Sequence, residues 1–318
     1  MVAGCARSAA RFDVAPATRL VVVAPHPDDE TLAAGGLIQR VLRTGGAVRV
    51  IVVTAGDGYL EAAAALTGHP QPSADDYRRL GAVRAHEVRE ATRLLGVSDL
   101  VLLDGPDDGL AALWSTSWSS ATPYVSPETG RGPFSGETLL RVLRESIDAV
   151  APTLVVAPDP RDHHPDHAAA GRFTVSAIDS LSIRPVLLTY LVHDTVWPPP
   201  RPPCEKLPRP AGAEYAGTPW VSFALDPAEL ATKRAALAAH RSQWPIIGGL
   251  LERFLRRNEI FAIAPSPGDY PLLKWWLGTS MALRSSGATS TSISTAASQS
   301  GGRTPGPARS PVSFGLAP

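Results

Sequence analysis

The chain reads as an α/β protein: a three-layer sandwich around a mostly parallel central sheet. Three observations predict it. Short, continuous apolar runs recur along the sequence, segments with helical spacing of apolar residues alternate with them, and 318 residues that are 44% hydrophobic suffice for one sizeable core. Strands apolar on both faces belong to parallel sheets covered by helices on either side, whereas half-exposed antiparallel strands alternate.

Each element follows in order. Residues 20–24 (LVVVA) form a β-branched run, and 31–43 switch to helical spacing with Gly45-Gly46 as the stop. Residues 48–54 repeat the buried-strand pattern, and 76–95 read as an amphipathic helix closed by Gly96. Further strands are expected at 100–103, 154–157 and 186–192, with helices at 136–150 and 167–181. The proline-rich stretch 198–210 reads as a surface excursion with little regular structure, Asp226-Pro227 opens a helix through His240, and a last compact portion runs to about Ile263. This succession is Rossmann-like, and such open sheets form their crevice outside the carboxyl ends of the strands.

The flanks read differently. Residues 1–18 are Ala-rich without the apolar run of a secretory signal and are expected to be a flexible tail. Residues 279–318, rich in Ser, Thr, Gly and Pro, are expected to be disordered, which leaves 19–278 as the folded domain. Thirty basic residues balance thirty acidic ones, so no electrostatic footprint points to nucleic acid or an anionic membrane. The apolar stretch 272–283 is broken by Lys274 and too short to span a bilayer. With two cysteines, Cys5 and Cys204, a metal site would have to use nitrogen and oxygen, and cytoplasmic residence is the default.

Chemistry concentrates in two places, each just after a predicted strand. His26-Pro27-Asp28-Asp29, followed by Glu30, follows the first strand; His164-Pro165-Asp166-His167, preceded by Asp162 and His163, follows the fourth. Pro27 restricts His26 to extended backbone and suits the first turn of a helix, so that turn is stiff, and both motifs place potential ligands three residues apart around a tight turn. Together they offer a mixed imidazole and carboxylate set. Zinc suits it, with three protein ligands and a position left for water whose pKa falls to about 7. A remaining carboxylate can take that water's proton. Counting alone leaves open which three residues bind.

These residues resemble the PIG-L, or LmbE-like, deacetylase family, whose hallmarks are Ala-His-Pro-Asp-Asp-Glu at a strand end and a later His-Pro-Asp-His. The likeness extends through Gly35-Gly36, Thr54 to Gly58, Arg84 with Glu87, Leu95-Gly96-Val97, Pro106-Asp107 and His240-Arg241-Ser242-Gln243, covering roughly residues 19–263. Pro25 replaces the usual Ala, and Asp57 stands where Glu is commoner. The resemblance implies His26, Asp29 and His167 as ligands of zinc or another divalent ion, and Asp28 as general base. It implies that His164 stabilises the oxyanion and protonates the leaving amine, with Asp166 orienting it, and that Arg84 and Asp107 grip sugar hydroxyls. The implied reaction is deacetylation of an N-acetylglucosamine-type sugar or its conjugate by metal-activated water.

Competing readings stand beside these. Another acyl-amide, such as a thiol conjugate or an antibiotic, could be the substrate, or the fold could serve a non-catalytic sugar-binding protein. Glu30 either supports the metal site or answers the helix macrodipole. His163 is expected at the surface, and His240 to be packed or to reach the pocket. Arg84 and Glu87 match an ordinary i, i+3 surface pair. Gly35-Gly36 reads as close packing, since Gly-x-Gly-x-x-Gly is absent. Residues 58–80 and 105–135 are expected to rim the pocket.

Overall fold

The computed structural model describes residues 9–200 and 205–264. The start of the expected N-terminal tail, the whole of the expected C-terminal tail and the last stretch of the expected domain, 265–278, with both cysteines and the Trp275-Trp276 pair, lie outside the described residues. Eight strands build one sheet: β1 (Ala10–Phe12), β2 (Arg19–Ala24), β3 (Ala47–Thr54), β4 (Asp99–Gly105), β5 (Leu154–Pro158), β6 (Val186–Tyr190), β7 (Trp220–Ala224) and β8 (Asn258–Ile263). Their order is β1-β7-β8-β6-β5-β2-β3-β4. All neighbouring pairs are parallel except the two that β8 makes, with β6 and β7.

The helices are α1 (Asp29–Arg43), α2 (Leu60–Thr67), α3 (Ala74–Leu94), α4 (Leu110–Ser115), α5 (Gly136–Asp148), α6 (Pro165–Asp179), α7 (Pro227–Ala238) and α8 (Trp244–Arg253). Strand alternation sorts them into two layers. Leu20, Val22 and Ala24 share a core with Leu37 and Ile38 of α1, Val88 of α3 and Leu237 of α7. Val21 and Val23 share another with Leu113 of α4, Leu143 of α5 and Phe173 of α6. Every side chain of β2 beyond Arg19 is therefore covered, which is why the run is uniformly apolar.

The helix stop at Gly96 and the start at Asp226 are as expected, whereas α3 begins two residues before the position read from the sequence. Ser73 and Asp76 make a capping box at the start of α3, and Asp226 and Glu229 make another at α7. Gly96, at φ 88°, closes α3, with Val97 N donating to Thr92 O at 2.9 Å. Gly35 and Gly36 lie inside α1, where an added Cβ at Gly36 would meet Leu225 Cγ at 2.5 Å, so close packing is their role.

One expectation needs correction and one gains detail. Part of the segment read as a flexible N-terminal tail is a strand: β1 pairs with β7 from Ala10↔Val221 to Phe12↔Phe223. Three residues cannot show a period, so only the partner strand defines it. The last compact portion supplies β8, inserted antiparallel between β6 and β7, and the half-polar run NEIFAI becomes fully buried there because Glu259 finds Lys233 and two backbone amides of α1. Among the described residues, no helix is long and apolar enough to cross a membrane.

Candidate metal centre and active site

The two histidine motifs meet at the carboxyl ends of β2 and β5. Beyond β2, Pro25 O accepts hydrogen bonds from Thr54 N and Oγ1, both at 2.9 Å, which ties the turn to β3. His26 N then donates to Asp29 Oδ2 at 3.0 Å as Asp29 opens α1. Beyond β5, His164 caps α6, with Pro165 in its first turn and His167 one turn along.

Three atoms form a triangle. His26 Nδ1 is 3.2 Å from His167 Nε2, Asp29 Oδ2 is 3.2 Å from His167 Nε2, and His26 Nδ1 is 3.3 Å from Asp29 Oδ2. A tetrahedral ion with ligands at 2.0–2.1 Å has edges of about 3.3 Å, so one face of such a polyhedron matches these sides. His26, His164 and His167 also bring one ligand atom each within 4.8 Å of one another, a wider grouping that leaves His164 beside the triangle.

Each imidazole of the triangle has a carboxylate behind it. His26 Nε2 is 3.1 Å from Asp107 Oδ1, and His167 Nδ1 is 3.5 Å from Asp162 Oδ2. Carboxylates in this position fix the tautomer and ring plane of a metal-ligating histidine. Burial works against charging either ring, but Asp107 lifts His26 well above the usual imidazole range, and Asp29 with Asp162 lifts His167 to about 9. Burial likewise opposes ionisation of Asp29, yet His167 and His26 hold it well below the carboxylate range. The spot favours positive charge, as a cation site must, and the donor set fits a divalent ion of zinc's preferences.

Asp28 stands beside the triangle, 4% exposed, with the backbone at φ 137° and ψ −27°. Arg84 Nη2 donates to Asp28 Oδ2 at 3.1 Å and to Pro27 O at 2.8 Å, and Nη1 donates to Gly56 O at 2.9 Å. Burial pushes the Asp28 carboxyl up to about 6 against the lowering pull of Arg84. Arg84 is therefore neither an ordinary surface residue nor a free arm. Asp107 is occupied too: its Oδ1 faces His26 and its Oδ2 accepts from Gly58 N at 2.7 Å.

His164 Nδ1 accepts from Asp166 N at 3.2 Å. A ring whose Nδ1 accepts carries its proton on Nε2, so His164 is a neutral N–H donor; burial first, then His26 and His167, lower its pKa to about 4. The Asp166 carboxylate lies elsewhere, with Oδ1 accepting from Leu110 N at 2.9 Å and Oδ2 3.7 Å from His26 Nε2. Orientation of His164 thus comes from the Asp166 backbone.

Of these groups His26, Asp28, Asp29, Arg84, Asp107 and His164 line a cavity of about 290 Å³, together with Tyr59 and Asp108 from the expected rim segments, Gln243, the unselected His193, and an apolar wall of Leu32, Val192, Ile247 and Leu250. His193 follows β6, and its ring centroid lies 4.8 Å from that of His167 and 5.0 Å from that of His164. Its place just past a predicted strand was the signal that could have found it. His163 is exposed, as expected. His240 is fully buried behind Glu30, 3.4 Å from Oε1, and Glu30 in turn accepts from the N–H of Asp28 at 3.0 Å.

Known proteins share this chain's sequence features and fold. The family model PIG-L, described as GlcNAc-PI de-N-acetylase, matches residues 21–178. A 1D-myo-inositol 2-acetamido-2-deoxy-α-D-glucopyranoside deacetylase of Mycobacteroides abscessus is 32% identical over 179 residues, 56% of this chain and 61% of the relative. A protein of the same name from Corynebacterium diphtheriae is 30% identical over 233 residues, 71% of this chain and 76% of the relative. This chain spans about three-fifths of the first of these relatives, and about half of two mycobacterial relatives of the same name. Among solved structures, a deacetylase triple mutant involved in the teicoplanin biosynthetic pathway shares the fold, with a TM-score of 0.53 and 20% identity over 79% of this chain and 100% of that chain. On its paired motifs, its sheet and these likenesses, the chain belongs to the PIG-L family.

Proposed function

We propose that the protein is a metal-dependent hydrolase that removes the acetyl group from an N-acetylated amino sugar or a conjugate carrying one. The observation that carries this reading is the triangle of His26 Nδ1, Asp29 Oδ2 and His167 Nε2 with a buried carboxylate, Asp28, on its flank. His26, Asp29 and His167 would hold the ion; zinc suits them, and other divalent ions accept the same donors. When bound, such an ion polarises the amide carbonyl and lowers the pKa of water toward 7.

The chain's own residues do the rest. Asp28 accepts the proton of the attacking water, which Arg84 allows by keeping it ionised against burial. His164 offers its Nε2–H to the carbonyl oxygen as charge develops there. Because Nδ1 of His164 is engaged as an acceptor, that ring has no second proton to give, and the proton on Asp28 is the one handed to the departing amine. Asp107 and Asp162 orient His26 and His167. Asp108, exposed on the cavity wall, is the carboxylate left to meet substrate hydroxyls.

Support for the sugar comes from the relatives, whose names specify a 2-acetamido-2-deoxy-glucopyranoside. A second reading, an acyl-amide within a larger conjugate, is favoured by the aliphatic wall of Leu32, Val192, Ile247 and Leu250, which suits an apolar group beside the amide. A non-catalytic sugar-binding role is disfavoured because every ligand and the base are present. The test is acetate release by metal-loaded protein from N-acetylhexosamines, their glycosides with polar and apolar aglycones, and acyl-amino conjugates. Preference for glycosides supports the first reading; hydrolysis of the conjugates alone favours the second; and binding without release from any sinks both.

A further inference from the structure

The turn His240-Arg241-Ser242-Gln243, which leaves α7 and opens α8, has no part in the reading above except that Gln243 borders the cavity. Its contacts lead back to Asp28. His240 is fully buried, and its Nε2 approaches Glu30 Oε1 at 3.4 Å. Glu30, also fully buried, accepts from Asp28 N through Oε2 at 3.0 Å and from Thr31 Oγ1 through Oε1 at 2.6 Å. Ser242 donates through N and Oγ to Glu87 at 2.8 and 2.7 Å, and Glu87 sits on α3 one turn from Arg84.

The first of these arms ends on a residue under backbone strain, and the second fastens the turn to α3. Asp28, at φ 137° and ψ −27°, occupies a region that L side chains rarely adopt, and such a conformation persists only where its surroundings over-determine it. Glu30 grips its N–H, and Arg84 grips its carboxylate and the preceding carbonyl. A buried carboxylate such as Glu30 needs compensation, and among the described residues its one ion-pair contact is His240.

We infer that His240 is a positioning residue for Asp28: it holds Glu30, and Glu30 holds the Asp28 amide in the strained turn that aims the carboxylate at the cavity. The inference rests on Asp28 being the base.

The test uses the full-length metal-loaded protein with His240→Leu, His240→Gln, Glu30→Gln and the double variant His240→Leu/Glu30→Gln. Expected in His240→Leu is a fall in kcat of about tenfold or more with KM and metal content within about twofold, because orientation of the base is lost but not the ligands. His240→Gln, which keeps a donor, should retain more of kcat. The double variant should be little worse than either single one, since the two residues act as one unit.

A readout independent of turnover is hydrogen exchange of the backbone around Asp28, which should accelerate in both single variants at unchanged thermal midpoint. If His240→Leu does not fold, His240→Gln and Glu30→Gln carry the same comparison. An unchanged kcat in a folded, metal-replete His240→Leu, additive losses in the double variant, or unaltered exchange at Asp28 overturns the proposal. Should the wild-type protein hydrolyse no amide, the functional reading fails while exchange at Asp28 still decides whether His240 braces the turn.

Discussion

His26 Nδ1 and His167 Nε2 stand 3.2 Å apart although 141 residues separate them in the chain. Two imidazole nitrogens at that distance, with Asp29 Oδ2 closing the triangle, are best satisfied by a shared cation. His167→Ala should therefore release the ion and abolish hydrolysis while the sheet persists. Metal analysis of the dialysed variant checks this; full occupancy would show that the ion is held elsewhere. Chelation of the wild type should lower its thermal midpoint, since a ligand bound only by the folded state stabilises it.

Asp28→Asn should leave metal content intact and lower kcat by roughly 10²–10⁴, the range of a lost general base. Asn fits the space and can still accept from Arg84, so folding should survive. A near-full rate with the metal in place would remove Asp28 from the reaction.

Arg84 sets where Asp28 takes up its proton. Burial pushes Asp28 up to about 6 and Arg84 opposes it, so Arg84→Gln should raise Asp28 further. A base is lost when protonated, so the acid limb of kcat against pH should move to higher pH in the variant. A limb that stays in place, or moves to lower pH, would contradict the pairing.

Asp107 separates two readings. As a sugar-gripping residue its loss would raise KM alone. As the carboxylate behind His26, 3.1 Å from Nε2, its change to Asn should weaken metal affinity by roughly 10–100-fold. Competition with a fluorescent chelator measures this directly.

Gly36→Ala probes the packing of α1. The new methyl would press on Leu225, whose Cγ would lie 2.5 Å away, and overpacking of this kind costs about 1–3 kcal/mol. Denaturant unfolding of the two proteins gives the difference, and a variant as stable as the wild type would mean that Leu225 yields without strain.

Local signals carried the core of this protein. The apolar runs at β2, β3 and β5 and the caps at Gly96 and Asp226 are read from neighbours in sequence, because burial on both faces and helix termination are short-range demands on residue type. The two His-Pro-Asp turns were legible for the same reason: proline and the adjoining strand dictate each turn by itself. Three-residue β1 and antiparallel β8 were not, since their pairing partners lie far along the chain.

Arg84 and Asp107 show the limit most clearly. In sequence they are an arginine on a helix and an aspartate after a strand, types equally suited to holding a sugar. Only the packing of α3 against the first turn, and of the β4 loop against His26, brings them to Asp28 and to His26, because a buried charge goes to whichever partner the fold brings within hydrogen-bond reach. The sequence by itself determined which chemistry is on hand and the layered fold that carries it; the tertiary structure decided which partner each of those side chains meets.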